Sequence, residues 1–337
     1  MKRTLKALLA FVALGMSAAV CADTYRVGII ETISLPIVDG SRAAFTQELT
    51  RLMPEDEFEF VVLNAQGSSE LANDLVTQVV NNEDVDLLVT VATLATRAAF
   101  QHPQTVAFPM VFMTVADPVG EGIVDEFGQT SAKNITGESH VLEARVKLDM
   151  LDGLLQASDV AKPVKIALIH TTYPSSTNLA NELLALDSAY DNVEFVDIYT
   201  PFLTGENALQ RMSEAIVDTL VENHHSFDGY WLSTGPLSQV EGLVSTIYSR
   251  TALFPIFAES ISSVKDGALL GVVSDVESIG QSAANTAKRV LEGTTPNTIP
   301  VKRMDKYAMA VNVSTAIALN MPIPSAYLKL AKRHVYQ

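Results

Sequence analysis

Residues 85–96 read VDLLVTVATLAT and contain the pattern on which the fold depends. The first part, Val85–Val91, is a mostly apolar, β-branched run, typical of a strand buried on both faces of a parallel sheet. The second part, from Thr93 onward, places hydroxyl residues where a helix begins. The stretch therefore predicts a strand that leads directly into a helix, the repeating unit of a parallel α/β sheet.

The same alternation continues on both sides of this stretch. Apolar residues at helical spacing follow Ser69 and recur in Glu206–Glu222, between runs that are short and β-branched. The further predicted strands are Tyr25–Ile30, Phe58–Leu63, Val106–Met113, Val164–Ile169, Val193–Tyr199, Asp228–Leu232 and Phe254–Phe257. Strands that alternate with helices predict βαβ units and doubly wound sheets.

Two such series occur along the chain. The first covers about 24–136, and a helical segment, Leu142–Leu155, separates it from the second, which starts at Val164. The chain then adds a strand at Leu269–Val273, a helix at Val276–Glu292 and a strand at Tyr307–Asn312. We therefore expect an α/β protein with two doubly wound parallel-sheet lobes.

Composition excludes several classes of protein. The chain has 337 residues, of which 48% are hydrophobic and 18% charged, too apolar for a disordered protein. A formal net charge of −16 argues against a nucleic-acid partner. A single cysteine excludes a disulfide scaffold and a cysteine-based metal site, and the sequence has no P-loop, G-x-S-x-G or H-E-x-x-H motif. We expect no catalytic residues, no metal and no cofactor.

The amino terminus has the pattern of a secretory signal peptide. Three cations, Lys2, Arg3 and Lys6, precede an apolar run from Ala7 to Val20. Small residues before Asp23 predict cleavage after Ala22, so residues 1–22 are the predicted signal peptide and the periplasm is the predicted location. Lipidation of Cys21 is the disfavoured alternative, because Val20 stands where a lipoprotein signal has a smaller residue.

Binding residues are expected where predicted strands end. Hydroxyl residues at a helix start can bind an anion, while a buried carboxylate can bind an ammonium. Thr93 and Glu259 would therefore bind the two charged groups of an amino acid. Each hydroxyl alone is also explained as an ordinary helix cap. His170 ends a strand and is a weaker candidate for lining the cleft. The predicted ligand-binding residues are Thr32, Thr93, Leu94, Asp117, Thr172, Tyr173, Ser176, Asn178, Thr234 and Glu259.

One aromatic side chain is expected to stack on the ligand. The candidates are Tyr173 and Phe202, with core packing the favoured role for Phe202.

Ordered motifs give the chain a family resemblance. It resembles the ABC-importer substrate-binding proteins of the tryptophan/tyrosine-binding type over nearly the whole length after residue 22. The motifs that carry the resemblance are 26–30 (RVGII), 64–67 (NAQG), 86–93 (DLLVTVAT), 116–120 (ADPVG), 134–137 (NITG), 255–260 (PIFAES), 264–269 (VKDGAL) and 279–283 (IGQSA).

The resemblance implies a type I periplasmic-binding-protein fold, with two lobes joined by a three-strand hinge. Lobe 1 would comprise 23–138 plus 268–296, and lobe 2 would comprise 139–267 plus 297–337. The hinge is expected near 137–140, 263–267 and 296–300. The resemblance also implies an amino-acid ligand, often aromatic, with cleft residues at Thr93, Asp117, Ser176, Thr234 and Glu259. The chain departs from the family at 171–178, where an Asn-Pro-Gly-like turn is common.

The expected activity is therefore capture of a small zwitterion, without catalysis. The protein would be a monomer that delivers its ligand to an ABC permease in the inner membrane. A periplasmic co-receptor that reports the ligand to a membrane sensor is the open alternative. A racemase-type enzyme is disfavoured because the chain after residue 22 has no thiol. A transcription-regulator effector domain is disfavoured because a signal sequence stands in place of a basic helix-turn-helix.

Overall fold

The computed structural model describes residues 22–81, 84–158 and 160–337. The predicted signal peptide lies outside the described residues except for Ala22, which is exposed. The strands, numbered along the chain, are β1 (Thr24–Glu31), β2 (Glu57–Asn64), β3 (Leu87–Val91), β4 (Met110–Val115), β5 (Ile135–Ser139), β6 (Val164–Thr171), β7 (Val193–Thr200), β8 (Gly229–Leu232), β9 (Ile256–Ala258), β10 (Leu270–Val273), β11 (Lys302–Arg303), β12 (Ala308–Asn312) and β13 (Val335–Tyr336).

Helices alternate with these strands, as the apolar spacing predicts. They are α1 (Pro36–Leu52), α2 (Ser69–Val80), α3 (Thr93–Gln101), α4 (Ala144–Gln156), α5 (Pro174–Leu186), α6 (Ala208–Asn223), α7 (Leu243–Arg250), α8 (Ile261–Lys265), α9 (Val276–Leu291), α10 (Val313–Ala318) and α11 (Ser325–Ala331). Their buried faces carry the periodic residues, such as Met212, Ile216 and Leu220 of α6.

Two sheets form the centres of two lobes. In the described part of the chain, the first sheet has six strands in the order β11-β5-β4-β3-β1-β2, all paired in parallel. The second has seven strands in the order β13-β12-β10-β9-β8-β6-β7, parallel except for the β10–β12 pair. The predicted fold, two parallel-sheet α/β lobes, is confirmed.

Each sheet is covered by helices on both faces. In the first lobe, Phe45 of α1 and Ala284 of α9 belong to one apolar cluster with Val89 of β3, while Val76 of α2 belongs to another on the opposite face. The second lobe repeats this arrangement, with Leu151 of α4 on one face and Ile216 of α6 on the other. Residues such as Val27, Leu87 and Leu88 are fully buried because both faces of their strands are covered.

The chain crosses between the lobes in three segments. The first connects β5 to α4, the second connects β10 to α9, and the third connects β11 to β12. The Ser274 hydroxyl donates to the carbonyl oxygen of His140, and Arg303 Nη1 donates to the carbonyl oxygen of Val141 at 3.1 Å. The three crossing segments are therefore held side by side.

Strand pairing places two of the lobe boundaries at other residues than the sequence predicted. The strand at 270–273 pairs with β9 and β12 of the second sheet, so the segment expected to return to lobe 1 at residue 268 returns only after Val273. Lys302–Arg303 pairs with β5, so lobe 1 extends beyond the expected end at 296. The hinges expected at 263–267 and 296–300 thus lie inside a lobe. An apolar strand has the same sequence pattern in either sheet. Only its pairing with neighbouring strands shows to which lobe it belongs.

Candidate functional site

A cavity lies between the lobes, at the carboxyl ends of the central strands. Its empty space, including the open solvent at its mouth, is about 480 Å³. Apolar residues form one part of its wall: Ile33, Leu35, Ile37, Val38, Ala92, Ala116 and Pro236. The other part of the wall consists of Thr93, Thr114, His140, Tyr173, Ser175, Thr234, Gly235 and Gln239. No Asp, Glu, Lys or Arg is among the described residues that line it.

The start of α3 faces this cavity without a side-chain cap. The residue before the helix, Ala92, makes no side-chain cap hydrogen bond, whereas α2 is capped by Ser68. Thr32 accepts a hydrogen bond from the amide of Ala95 at 3.0 Å, which satisfies one of the free amides of α3. The helix start therefore directs the positive end of its dipole toward the cavity, which suits an anion.

Two residues of the cavity wall have strained backbone conformations. Ala92 has a φ of 68° and Thr114 a φ of 59°, in the left-handed region that non-glycine residues avoid. Ala92 follows β3, Thr114 is the last residue but one of β4, and both line the cavity. The Thr114 hydroxyl lies 2.9 Å from the Ser41 hydroxyl, which helps to fix it. Residues held in such conformations are often found at ligand-binding sites.

Tyr173 extends from the second lobe to the start of α3. Its side chain is buried, and its hydroxyl lies within hydrogen-bonding reach of the Thr93 hydroxyl, the Leu94 amide and the Thr32 hydroxyl. Burial raises the pKa of the Tyr173 phenol, so the group is neutral at ordinary pH. Its ring packs edge-on against Phe202, with ring centroids 5.0 Å apart.

Two further contacts join the lobes across the cleft. Thr93 Oγ1 donates to Ser175 Oγ at 3.3 Å. Asn178 Nδ2 donates to Asp117 Oδ2 at 2.9 Å, and the other oxygen of Asp117 accepts from the Gly120 amide at 2.8 Å. The structure thus has its lobes in contact.

His140 is a cavity residue that the prediction did not include among the ligand-binding side chains. It lies in the first crossing segment and is 8% exposed. Nδ1 of its ring is buried without a hydrogen-bond partner. Burial lowers the pKa of His140 to about 4, with a smaller contribution from the charge of Lys147. The ring is therefore neutral at pH 7.

Glu259 does not join the residues around the cavity. Its carboxylate is buried in the second lobe, where Oε2 lies 2.7 Å from Lys147 Nζ and Oε1 accepts from Trp231 Nε1 at 2.9 Å. The expectation that a buried Glu259 needs a partner is correct, but the partner is an internal lysine. The predicted pairing of Glu259 with a ligand ammonium is not supported by this geometry.

The other predicted residues divide into three groups. Thr93, Tyr173 and Thr234 line the cavity, while Thr32 and Leu94 stand directly behind it at the start of α3. Asp117 and Asn178 line a separate groove beside it. The remaining residues face elsewhere: Ser176 is buried and donates to the Thr234 carbonyl, Thr172 is exposed and accepts from the Phe202 amide, and His170 is paired with Asp197.

Several cavity residues were not predicted. Ser175, next to the predicted Ser176, is the serine that faces the cavity, because α5 begins at Pro174 and turns Ser176 inward. The apolar residues at the start of α1 were also missed, although they immediately follow the first strand end and its motif. Gln239 lies beyond the short turn after β8, where the sequence carries no signal for a cleft.

No metal site or membrane helix accompanies the cavity in the described residues. Within 22–81, 84–158 and 160–337, no group of three or more His, Cys, Asp or Glu side chains could hold a metal ion. In the same part of the chain, no helix is long and apolar enough to cross a membrane.

Comparison with known proteins identifies the class. A family model described as ABC transporter substrate binding protein matches residues 26–335. The chain therefore belongs to the ABC transporter substrate-binding protein family, as its motifs predicted.

Individual relatives agree with this assignment. The chain is 26% identical over 310 residues to a tyrosine-binding protein from Clostridioides difficile, an alignment that covers 89% of this chain and 82% of the relative.

Among solved structures, the ABC domain from Streptococcus pneumoniae in complex with L-Trp is 21% identical, with a TM-score of 0.75 and coverage of 93% of this chain and 100% of the other. A conserved domain protein from Vibrio cholerae has a TM-score of 0.75 and 24% identity, with coverage of 93% and 99%. The structural neighbours confirm the type I periplasmic-binding-protein fold.

Proposed function

We propose that the protein is the periplasmic solute-binding component of an ABC importer. It captures a small zwitterionic ligand, an amino acid and foremost an aromatic one, in the cavity between its lobes. The closed form then delivers the ligand to a permease in the inner membrane. The protein binds and releases its ligand and performs no chemical step on it.

The observation that carries this proposal is the division of the cavity wall. One side offers the start of α3 with its Thr93 hydroxyl and the positive end of the helix dipole, which suit a carboxylate. The other side is apolar, with Ile33, Leu35 and Val38 available to a hydrophobic side chain. An aliphatic or aromatic amino acid has these two properties in one small molecule.

The relatives support an aromatic ligand. One is a tyrosine-binding protein, and one structural neighbour was solved with L-Trp. Tyr173 and Phe202 remain the candidates for an aromatic contact, although in the structure they pack on each other. A ring entering the cavity would meet Tyr173, which lines it.

Residues 1–22 direct export in this proposal, with cleavage after Ala22. The exported protein is a monomer and encounters the permease through the outer surfaces of its lobes. A ligand-sensing co-receptor of a membrane signalling protein would use the same cavity. Transport and sensing can be separated by measuring amino-acid uptake in cells that lack the protein: a lost uptake supports the importer, and an unchanged uptake supports the co-receptor.

Direct binding measurements test the ligand class. We expect L-tyrosine or L-tryptophan to bind with micromolar affinity, about −8 kcal/mol. At a ligand concentration one hundred times Kd, binding would stabilise the protein by about 2.7 kcal/mol and raise Tm by several degrees. Thermal shift and calorimetry against amino acids, sugars and nucleobases provide the comparison. Binding of a sugar or a nucleobase, with no response to any amino acid, would overturn the proposed ligand class.

A further inference from the structure

We infer that Oε1 of Gln239 accepts a hydrogen bond from an N–H or O–H group of the ligand and thereby selects ligands that carry such a donor. The inference rests on the proposed function, because it assumes that an amino acid occupies the cavity. Two parts of an aromatic amino acid can supply the donor: the amino group, or the polar edge of the ring, which is an indole N–H in tryptophan and a phenol O–H in tyrosine. Analogues that lack one of these donors distinguish the two sources.

The backbone that carries Gln239 is fixed by the turn after β8. Gln239 ends the short helical turn Leu237–Gln239. The carbonyl of the residue before it, Ser238, accepts from the Ser263 hydroxyl at 3.0 Å and also from the Ser260 hydroxyl. Ser260 caps α8 and Ser263 lies within it. The turn is therefore anchored to a helix of the same lobe, and Gln239 has a defined position in the cavity wall.

The hydrogen bonds of Ser238 determine which end of the Gln239 amide is available. The Ser238 hydroxyl donates its proton to the Gly235 carbonyl at 2.9 Å, so this hydroxyl can only accept from a second partner. That partner is Nε2 of Gln239, which lies 3.3 Å from Ser238 Oγ. An amide whose nitrogen faces Ser238 directs its oxygen away from Ser238. The network therefore assigns the free end of the amide to Oε1.

This oxygen is accessible from the cavity. Among the described residues, Oε1 of Gln239 has no hydrogen-bond donor, and it is not one of the polar side-chain atoms that the protein buries without a partner. Gln239 is 8% exposed and lines the cavity, so the accessible part of its side chain lies at the cavity wall. His140 differs in this respect, because its Nδ1 is enclosed by protein atoms. A ligand in the cavity can therefore reach Oε1 of Gln239.

The cavity offers a ligand donor few other acceptors. Its described lining contains no carboxylate, and Gln239 is the only amide side chain in it. The Thr114 hydroxyl already lies 2.9 Å from the Ser41 hydroxyl, and the Thr93 hydroxyl is bonded to Ser175. An amide oxygen carries two lone pairs, so it can accept from an ammonium, an indole or a phenol. Of the described wall residues, Gln239 is the one whose side chain presents a carbonyl oxygen.

The enclosed position of this oxygen makes the hydrogen bond selective. A ligand with a donor exchanges the hydrogen bond of Oε1 to water for one to itself, whereas a ligand without a donor removes the water and leaves Oε1 unpaired. A binding site built around such a bond rejects the analogue that lacks the donor. A charged donor, such as the ammonium of an amino acid, forms the stronger bond.

Calorimetry with four ligands tests the assignment. L-tryptophan carries both donors and indole-3-propionate lacks the amino group, while L-tyrosine carries both donors and L-phenylalanine lacks the phenol. Gln239→Met keeps the length of the side chain and removes the amide. This variant should bind L-tryptophan and L-tyrosine about tenfold more weakly than wild type. The analogue without the donor that Oε1 binds should lose less than twofold, and weak analogues are measured by displacement of L-tryptophan.

The analogue that does not respond to the variant identifies the donor. If Oε1 accepts from the amino group, Gln239→Met should leave the affinity for indole-3-propionate within twofold and weaken L-phenylalanine about tenfold. If Oε1 accepts from the polar edge of the ring, the two analogues should exchange these responses. Either result supports the assignment of Gln239.

A conservative variant and a matched control complete the design. Gln239→Glu keeps an oxygen acceptor at the same position and should retain most of the discrimination that Gln239→Met loses. Gln210→Met makes the same substitution at an exposed residue of α6 outside the cavity, and should change all four affinities less than twofold. Thermal unfolding without ligand should show that each variant is folded at the temperature of the titration.

The possible failures are distinguishable. If amino acids bind but Gln239→Met weakens all four ligands equally, or weakens none, the assignment of Gln239 is overturned and the proposed function stands. The same holds if Gln239→Glu discriminates as poorly as Gln239→Met. If the wild-type protein binds no amino acid, the proposed ligand class is overturned and the assignment with it.

Discussion

Lys147 Nζ lies 2.7 Å from Glu259 Oε2 in the interior of the second lobe, and both side chains are almost completely buried. Lys147 comes from α4, the first helix after a crossing segment, and Glu259 follows β9. The indole of Trp231 donates to the same carboxylate at 2.9 Å. This ion pair therefore joins a helix to the strands beneath it and has a structural role.

Glu259→Gln should destabilise the fold and leave binding unchanged. Removing the carboxylate charge leaves a buried, unpaired ammonium, at a cost of about 3 kcal/mol in the free energy of unfolding. Urea unfolding measures this loss, and calorimetry should give an amino-acid affinity within twofold of wild type. The double variant Glu259→Gln with Lys147→Met should recover more than half of the lost stability. A tenfold loss of affinity at unchanged stability would instead place Glu259 in the binding site.

Thr93→Val should weaken amino-acid binding about tenfold. The substitution keeps the shape of the side chain and removes a hydroxyl donor at the start of α3, where the carboxylate is expected. Thr172→Val is the matched control, because Thr172 is exposed and outside the cavity. Calorimetry should show less than a twofold change for the control. Equal losses in the two variants would argue against a carboxylate site at α3.

Asn178→Ala should favour an open arrangement of the lobes. The variant loses the bond to Asp117 across the cleft, and a loss of about 1.4 kcal/mol would raise the ratio of open to closed protein tenfold. Small-angle scattering should then report a larger radius of gyration without ligand. Asn181→Ala changes an exposed residue of the same groove and serves as control. Identical scattering from wild type and Asn178→Ala would contradict the prediction.

His140 should make stability depend on pH below neutrality. Its pKa is lowered to about 4 in the folded protein and is about 6.5 when unfolded, so the unfolded state binds the proton first as the pH falls. The contribution of the neutral ring is complete above pH 6.5 and is lost as the pH falls toward 4. Between pH 7 and 4.5, wild type should lose about 2 to 3 kcal/mol more than His140→Asn, measured by urea unfolding. If wild type and His140→Asn lost the same free energy of unfolding over this pH range, His140 would not be a buried neutral histidine.

The sequence predicted the architecture well because parallel sheets leave a strong signal. Strands such as Leu87–Val91 are buried on both faces and therefore read as continuous apolar runs. The short strands Lys302–Arg303 and Val335–Tyr336 were not predicted, since a pair of residues has no periodicity and their pairing depends on neighbours distant in the chain. The sheet to which Leu270–Val273 belongs is likewise a tertiary property.

The cavity was predicted less completely than the fold. Thr93, Tyr173 and Thr234 were found because they follow strand ends, where a doubly wound sheet binds ligands. Glu259 also follows a strand, but its environment is determined by Lys147, which is 112 residues away along the chain. His140 gives no local signal, because it lies in a crossing segment and joins the cavity wall only through the tertiary fold.

The three crossing segments have a mechanical consequence. The Ser274 side chain holds the carbonyl of His140, while Arg303 holds the next carbonyl, that of Val141. Any rotation of one lobe relative to the other must turn about this bundle of backbone bonds. Because His140 also belongs to the cavity wall, a change in the angle between the lobes would change the space that the cavity offers to a ligand.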